Sequence, residues 1–408
     1  MKITRERSLL LAIVFTLIAV GIHIYLARQH YALKYGALTG PSVCNVSSTF
    51  SCDAVAASSY SAVAGVPVAV FGAVANLMLV FFLGITLLGW TDDRSSTGRY
   101  ALWLAALIAG ASLIMGGVSL TQMATYCLFC IACYLLSFLS VFFTWKGTDG
   151  FTQVKEDFIA LFSTRYWVLI CALLIPGGAF FANTSIIKSS GVADIERYLG
   201  DFVSQWQGAT AQNFASDKGL VFQKSTQEPR LTIVEFADFR CSHCRHAAPT
   251  LHAFAESRPD VKLILKFYPL DGTCNPSPLL GGRGDGISCQ LAFIAQCEQK
   301  LRGQGWEAHN YIFEHQDQIV GISSIQELNE RYCKDRPGNC EELLACTESQ
   351  ATRDEVRALA QEGIDAQVQG TPAIFGNGKL IRSGQVLPVL DAVYKASSKN
   401  QSDRTSNQ

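Results

Sequence analysis

The stretch Tyr126-Cys127-Leu128-Phe129-Cys130-Ile131-Ala132-Cys133-Tyr134 decides how the rest of the chain is read. It sets a Cys-x-x-Cys at the start of an apolar run that continues to Trp145. Roughly 20 apolar residues in a row are enough to cross a bilayer as a helix. Helical positions i and i+3 bring Cβ atoms to about 5–6 Å, within reach of a disulfide after slight adjustment. A redox pair at a helix mouth can face aqueous thiols on one side and a lipid-soluble electron acceptor on the other. The bland alternative is a pair of small apolar residues lining a helix contact, as free cysteines often do.

Four more runs are long enough to span: Ser8–Ala27, Pro67–Trp90, Tyr100–Leu120 and Tyr166–Ile187. The first follows Lys2, Arg5 and Arg7 but outlasts a signal-peptide core and has no small-residue cleavage site, so it reads as a retained helix. Hydrophobic residues make up 49% of the 408 positions and charged ones 16%, unevenly: the chain is apolar as far as Ile187 and ordinary soluble sequence after it. Two domains follow. A net charge of −1 and the lack of a basic stripe exclude a nucleic-acid partner. The spans hold almost no charge, which argues against transport through them.

Lys and Arg concentrate before the first run, at Arg94 and Arg99, and at Lys146, Lys155 and Arg165, all on one side of the membrane. The amino terminus is therefore expected in the cytoplasm. Five crossings then deliver Cys127 and the carboxy-terminal half to the outer face. An external loop, Arg28 to Val66, carries Cys44 and Cys52, with turn chemistry at Gly40-Pro41 and Ser47-Ser48-Thr49. Those two cysteines are either a structural staple or a shuttle pair feeding Cys127 and Cys130.

Cys44-x7-Cys52, Ser58, Gly65 and Pro67 leading into a helix, then Cys127-x-x-Cys130 with Tyr134, resemble the vitamin K epoxide reductase family over residues 8–145. The resemblance implies a four-helix bundle in which the helix-mouth pair reduces a quinone, ubiquinone or menaquinone, and the loop pair supplies electrons. It implies that Ser58 lies beside the active site and that Tyr134 lines the quinone pocket. Vertebrate members carry an asparagine near the start of the second helix. The aligned Val68-Ala69-Val70-Phe71-Gly72 is apolar, which favours plain quinone reduction over epoxide reduction. Cys133 and Cys171, inside helices, read as apolar filler. Residues 146–187 form a connector and a fifth helix that returns the chain to the outer face, and 188–230 a linker with an amphipathic helix near Asp194–Trp206.

The soluble half opens on Leu231-Thr232-Ile233-Val234-Glu235-Phe236, an apolar β-branched strand, followed by Cys241-Ser242-His243-Cys244. A strand that ends in a Cys-x-x-Cys opening a helix is a thioredoxin-like redox motif. Cys241 at the helix terminus would be stabilised as a thiolate, with His243 as a donor or cationic neighbour. A zinc site would need a second ligand pair at matching spacing, so no metal is expected. Thr371-Pro372 opens a late strand, and residues 271–363 form a helical insertion with patterns at Ile287–Lys300 and Cys340–Ala360. This order resembles the DsbA-type disulfide oxidases over 231–396, which implies that Pro372 is cis and packs on the active-site pair. Six further cysteines lie in the insertion, with Cys274–Cys289 and Cys333–Cys340 the expected disulfides and Cys297 and Cys346 left open. Arg283-Gly284-Asp285 is a glycine-rich loop, and residues 397–408 a polar, disordered tail.

The fold class expected is thus mixed: an all-α transmembrane bundle of four core helices and a fifth, then an α/β thioredoxin-like domain with a helical insertion. The expected activity is disulfide formation outside the membrane. Electrons would pass from reduced client proteins through Cys241/Cys244 and Cys44/Cys52 to Cys127/Cys130 and the quinone pool. The rival readings are a tethered reductase or isomerase running in reverse, and an anchored module that binds clients without chemistry.

Overall fold

Inside a bilayer a backbone must satisfy its own hydrogen bonds, so long apolar runs become helices. The computed structural model describes residues 4–36, 42–46, 49–91, 93–123, 125–189, 195, 197–336 and 338–405. Gly40-Pro41, Ser47-Ser48 and Asp194 lie outside them. Two compact units result, the first running to Tyr31 and from Ser42 through the fifth long helix, the second from Ile195 onward with the end of the first helix from Ala32.

In the first unit, α1 spans Arg5–Lys34. It outlasts its apolar run because Tyr31, in the added turns, is buried and donates a 2.6 Å hydrogen bond to Asn183. A short helix α2, Cys52–Ala57, is capped by Ser51, whose side chain accepts from the Ala54 N–H. Strands β1 (Ala62–Val63) and β2 (Val66–Pro67) form a small hairpin with Ala64 and Gly65 at positive φ, 50° and 78°, the geometry that favours glycine at such turns. Pro67 then caps α3, Val68–Leu88, which stops at Gly89 in the left-handed region.

Three long helices follow: α4, Arg94–Gln122; α5, Leu128–Gly147; and, after the short α6, Val154–Ser163, α7, Tyr166–Ser189. Among the described residues five helices, α1, α3, α4, α5 and α7, are long and apolar enough to cross a membrane. The sequence expected α6 only as an amphipathic turn. It is fixed to α4 by a buried bidentate pair, Arg99 Nε and Nη2 to the Asp157 carboxylate at 2.6 and 2.7 Å.

The second unit is built on a five-stranded sheet of order β3-β5-β4-β6-β7. A helix α8 (Leu199–Gly208) precedes β3 (Leu220–Gln223) and β4 (Leu231–Ala237); then come α9 (Ser242–Glu256) and β5 (Val261–Phe267). The insertion supplies α10 (Ile287–Arg302), α11 (Gly305–Glu314), α12 (Gln316–Ile319), α13 (Ile325–Asp335), α14 (Cys340–Glu348) and α15 (Gln350–Asp365). Strands β6 (Ala373–Gly376) and β7 (Lys379–Leu380) and helix α16 (Leu387–Thr405) complete it. The parallel β4–β5 pair, joined through α9, is the centre of the sheet.

Three expectations need correction. The stretch read as a linker holds β3, which pairs antiparallel with β5 from Leu220–Leu265 to Gln223–Lys262. It also holds Trp206, buried, whose indole N–H reaches the Gly376 carbonyl at 2.9 Å. The single helical pattern Cys340–Ala360 is two helices, because Ser349 takes an extended backbone and caps α15 through the Thr352 N–H. The tail expected to be disordered from Ser397 continues α16 to Thr405, since a helix already nucleated on a packed start adds each residue at low cost.

Candidate active site

At the mouth of α5, Cys127 is the N-cap residue and its Sγ accepts the backbone N–H of Cys130 at 3.1 Å. The sulfur thus takes the place of a capping oxygen on an orphan helix N–H. Cys127 and Cys130 are both thiols, whereas Cys44 and Cys52 form a disulfide. Cys52 Sγ stands 3.2 Å from Cys127 Sγ, and the buried Cys44, Cys52 and Cys127 form one cluster with Leu26, Val55 and Phe129 around them.

What holds the loop there is backbone pairing. The Tyr126 N–H donates to the Thr49 carbonyl at 2.8 Å and the Ser51 N–H to the Tyr126 carbonyl at 3.0 Å. Asp53, directly after Cys52, is buried and accepts from the Ser42 N–H (3.0 Å), the Ser42 hydroxyl and the Asn45 amide (2.7 Å). Ser42 and Asn45 flank Cys44, so one carboxylate clamps the segment bearing the first loop cysteine onto the helix bearing the second.

Beside this cluster opens an apolar cleft of about 800 Å³, its open mouth included, lined by Cys52, Cys127, Cys130, Ser58 and Tyr134 among others. Ser58 caps α2 and donates to the Val55 carbonyl at 2.7 Å. Cys133, read as filler, is buried and also lines the cleft, whereas Cys171 packs in the helix core. The apolar walls and the adjacent thiols fit a quinone head group.

In the second unit Cys241 takes the N-cap position of α9, as Cys127 does in α5, but without a side-chain capping hydrogen bond. Its thiol lies 3.3 Å from the Thr371 carbonyl, to which it donates, and the Thr371–Pro372 peptide is cis. The Cys244 thiol first, against the opposing effect of burial, then the Thr371 side chain and the Cys244 and His243 backbone N–H groups, hold the Cys241 pKa down at about 5. His243 acts through its N–H, while its side chain is exposed. Burial, with the neighbouring Cys241, pushes Cys244 well above the usual thiol range. Below them in β4, Glu235 is 2% exposed, its Oε1 has no hydrogen-bond partner among the described residues, and burial lifts its pKa to about 8. Its carboxyl therefore keeps its proton at neutral pH. Gln316, from the insertion, donates to the Phe239 and Cys241 carbonyls at 2.8 and 3.0 Å and steadies the motif.

Residues 10–145 match the model of the vitamin K epoxide reductase family, and residues 226–391 match a thioredoxin model. The first unit thus carries a region similar to the vitamin K epoxide reductase family. Among solved structures, oxidised BdbD from Bacillus subtilis is 18% identical, covering 47% of this chain and 98% of its own at a TM-score of 0.38. The oxidoreductase NmDsbA1 of N. meningitidis is 17% identical over 44% of this chain and 89% of its own, at 0.35. A curated relative, the Na(+)/H(+) antiporter NhaA 3 of Salinispora tropica, is 26% identical over 160 residues, which are 38% of this chain and 21% of that protein. The chain thus spans about a fifth of that relative's length. A vitamin K epoxide reductase domain joined to a thioredoxin-fold domain supports thiol–disulfide oxidoreductase chemistry.

In the thioredoxin-fold domain, disulfides join Cys274 to Cys289, Cys333 to Cys340 and Cys297 to Cys346. The last pair was left open by the sequence, because it spans 49 residues. Asp53 and Glu235 were also missed. A lone acid inside the apolar run Leu231–Phe236 was the available signal for Glu235, while Asp53 offered none.

Proposed function

We propose that the protein is a membrane-bound thiol:quinone oxidoreductase that makes disulfides in client proteins outside the bacterial cytoplasmic membrane. The observation that carries this reading is the 3.2 Å approach of Cys52 Sγ to Cys127 Sγ beside the cleft. It supports a mixed disulfide between those two residues as the bridge from the loop pair to the helix-mouth pair.

The relay is a series of thiolate attacks. A client thiolate attacks the Cys241–Cys244 disulfide at Cys241 and Cys244 leaves; a second client thiol then attacks, the client disulfide forms, and Cys241 is released. The reduced Cys241 opens Cys44–Cys52, and Cys244 resolves the mixed disulfide. Cys52 attacks Cys127, releasing Cys130, and Cys44 resolves that bond in turn. The Cys127/Cys130 dithiol gives up two electrons and two protons to quinone at the cleft and closes to a disulfide, leaving quinol. Ser58 and Tyr134 line the site, and Cys130 is the sulfur one turn deeper.

The low pKa of Cys241 favours this direction over the reverse, because a stabilised thiolate is a good leaving group and makes its disulfide oxidising. Fusion of the two domains raises the effective concentration of each for the other. The amino terminus is cytoplasmic and the thioredoxin-fold domain external, by the Lys/Arg bias. Anaerobic turnover of purified protein with a reduced peptide and ubiquinone or a menaquinone analogue tests the proposal. Quinol and peptide disulfide should form in equal amounts. Peptide reduction at the expense of quinol, or exchange without any quinol, would overturn it.

A further inference from the structure

The cleft beside Cys127 and Cys130 contains a polar group that the relay does not use. His23 on α1 lines it, and the His23 Nδ1 is buried with no hydrogen-bond partner among the described residues. Its position is built rather than incidental. The imidazole lies flat against the backbone of α3 at Gly72, where a Cβ would run into the ring atoms Cε1, Nδ1 and Nε2. Of the two glycines on α3, Gly72 and Gly84, the histidine lies against Gly72, while a Cβ at Gly84 would meet nothing. An unpaired imidazole nitrogen in an apolar wall is a cost unless something enters to bond it.

Two serine hydroxyls of the cleft are already engaged. The Ser58 hydroxyl donates to the Val55 carbonyl and the Ser61 hydroxyl to the Ser58 carbonyl, at 2.7 and 2.8 Å. A quinone has two carbonyl oxygens on opposite sides of its ring, and both must be protonated on reduction. The thiols reach one side. A second donor has to serve the other.

We propose that His23 hydrogen-bonds a quinone carbonyl oxygen in this cleft and donates a proton to it as the Cys127/Cys130 pair is oxidised. This rests on the quinone reading above. The reaction balances: two sulfurs lose two electrons and join, the thiols release two protons, and quinol takes up two. His23 gives one proton to the carbonyl oxygen and recovers one from the thiols, so it ends each cycle as it began. Either imidazole nitrogen can donate or accept, which suits the task.

The test compares His23→Phe, which keeps a flat ring against Gly72 but removes both nitrogens, with His23→Gln, which restores a donor that does not exchange protons. Both are made in the full-length protein with ubiquinone as the probe. Three quantities are read: kcat and KM for quinone, the infrared carbonyl stretch of bound ubiquinone in the oxidised protein, and thiol exchange from a reduced peptide to Cys241. His23→Phe is expected to lower kcat roughly 100-fold, the scale of general-acid catalysis, and to shift the carbonyl stretch upward, with peptide exchange at Cys241 unchanged. His23→Gln should recover the stretch and KM but not kcat. Gly72→Ala, which displaces the ring without removing it, should raise KM, and it keeps the proposal testable if His23→Phe does not fold. Wild-type kcat and an unshifted carbonyl stretch in His23→Phe would overturn this inference alone. A wild-type protein that forms no quinol would overturn the quinone reading with it.

Discussion

Cys127-Leu128-Phe129-Cys130 and Cys241-Ser242-His243-Cys244 are the same local device in two settings. In each, the first cysteine is the N-cap of a helix and the second lies one turn in. At Cys241 the surroundings are half open, the cis Thr371–Pro372 loop touches the sulfur, and the helix N–H groups point at it. At Cys127 the residue is 2% exposed, its thiol is packed against the Cys44–Cys52 disulfide, and its neighbour Cys130 faces an apolar cleft. A Cys-x-x-Cys on a helix terminus supplies reactivity; what the pair trades electrons with is set by what packs around it. An open mouth admits a peptide chain, and an apolar cleft admits a lipid-soluble ring.

If that division holds, Cys130→Ser gives the largest effect. Quinol formation should fall below detection while exchange between reduced peptide and Cys241 continues. Undiminished quinone turnover in this variant would make the two pairs interchangeable and break the contrast.

Cys44→Ala should separate the two settings without destroying either. The thioredoxin-fold domain oxidises one equivalent of client and then stalls reduced. Cys52 and Cys127 accumulate as a mixed disulfide, because the thiol that would resolve it is gone. Gel mobility after thiol blocking reads this out, and continuous turnover would mean that the loop pair is only a staple.

Asp53→Ala tests whether the packing around Cys127 is imposed by the clamp. Losing the bonds from Ser42 and Asn45 frees the segment bearing Cys44, at a cost of about 1–3 kcal/mol for the buried groups left unpaired. Transfer from the loop pair to Cys127 should slow about tenfold, read by stopped-flow thiol labelling, with peptide oxidation at Cys241 unaffected. An unchanged transfer rate would remove Asp53 from the account.

The smallest effect is a pH profile. With a folded pKa of about 5, Cys241 is a thiolate through the neutral range, so its alkylation in the reduced protein should be flat above about pH 6 and fall as pH drops through 5. The sign for stability follows: the reduced form's advantage is complete above the unfolded thiol pKa, about 8.5, and is lost as pH falls through 5. Alkylation that keeps rising to pH 9 would show an ordinary thiol and weaken the case for the oxidising direction.

Periodicity and composition are local properties, and what depends on them was legible. Five apolar runs gave five helices, and a β-branched run before Cys241 gave β4 with α9 after it. The two Cys-x-x-Cys motifs carried their chemistry in their spacing. Contacts between distant segments were not legible, because many pairings satisfy the same local pattern. Strand β3 is four residues that become a strand only because β5 offers them an edge. Cys297 meets Cys346 because α10 and α14 pack together, which neither helix announces. The same holds for Asp53 under Cys44, for His23 over Gly72, and for the 3.2 Å between Cys52 and Cys127. The sequence by itself determined where the cysteine pairs lie along the chain and which of them open helices. The tertiary structure decided which of them touch, since burial and close packing select one arrangement from the many that the chain's local preferences allow.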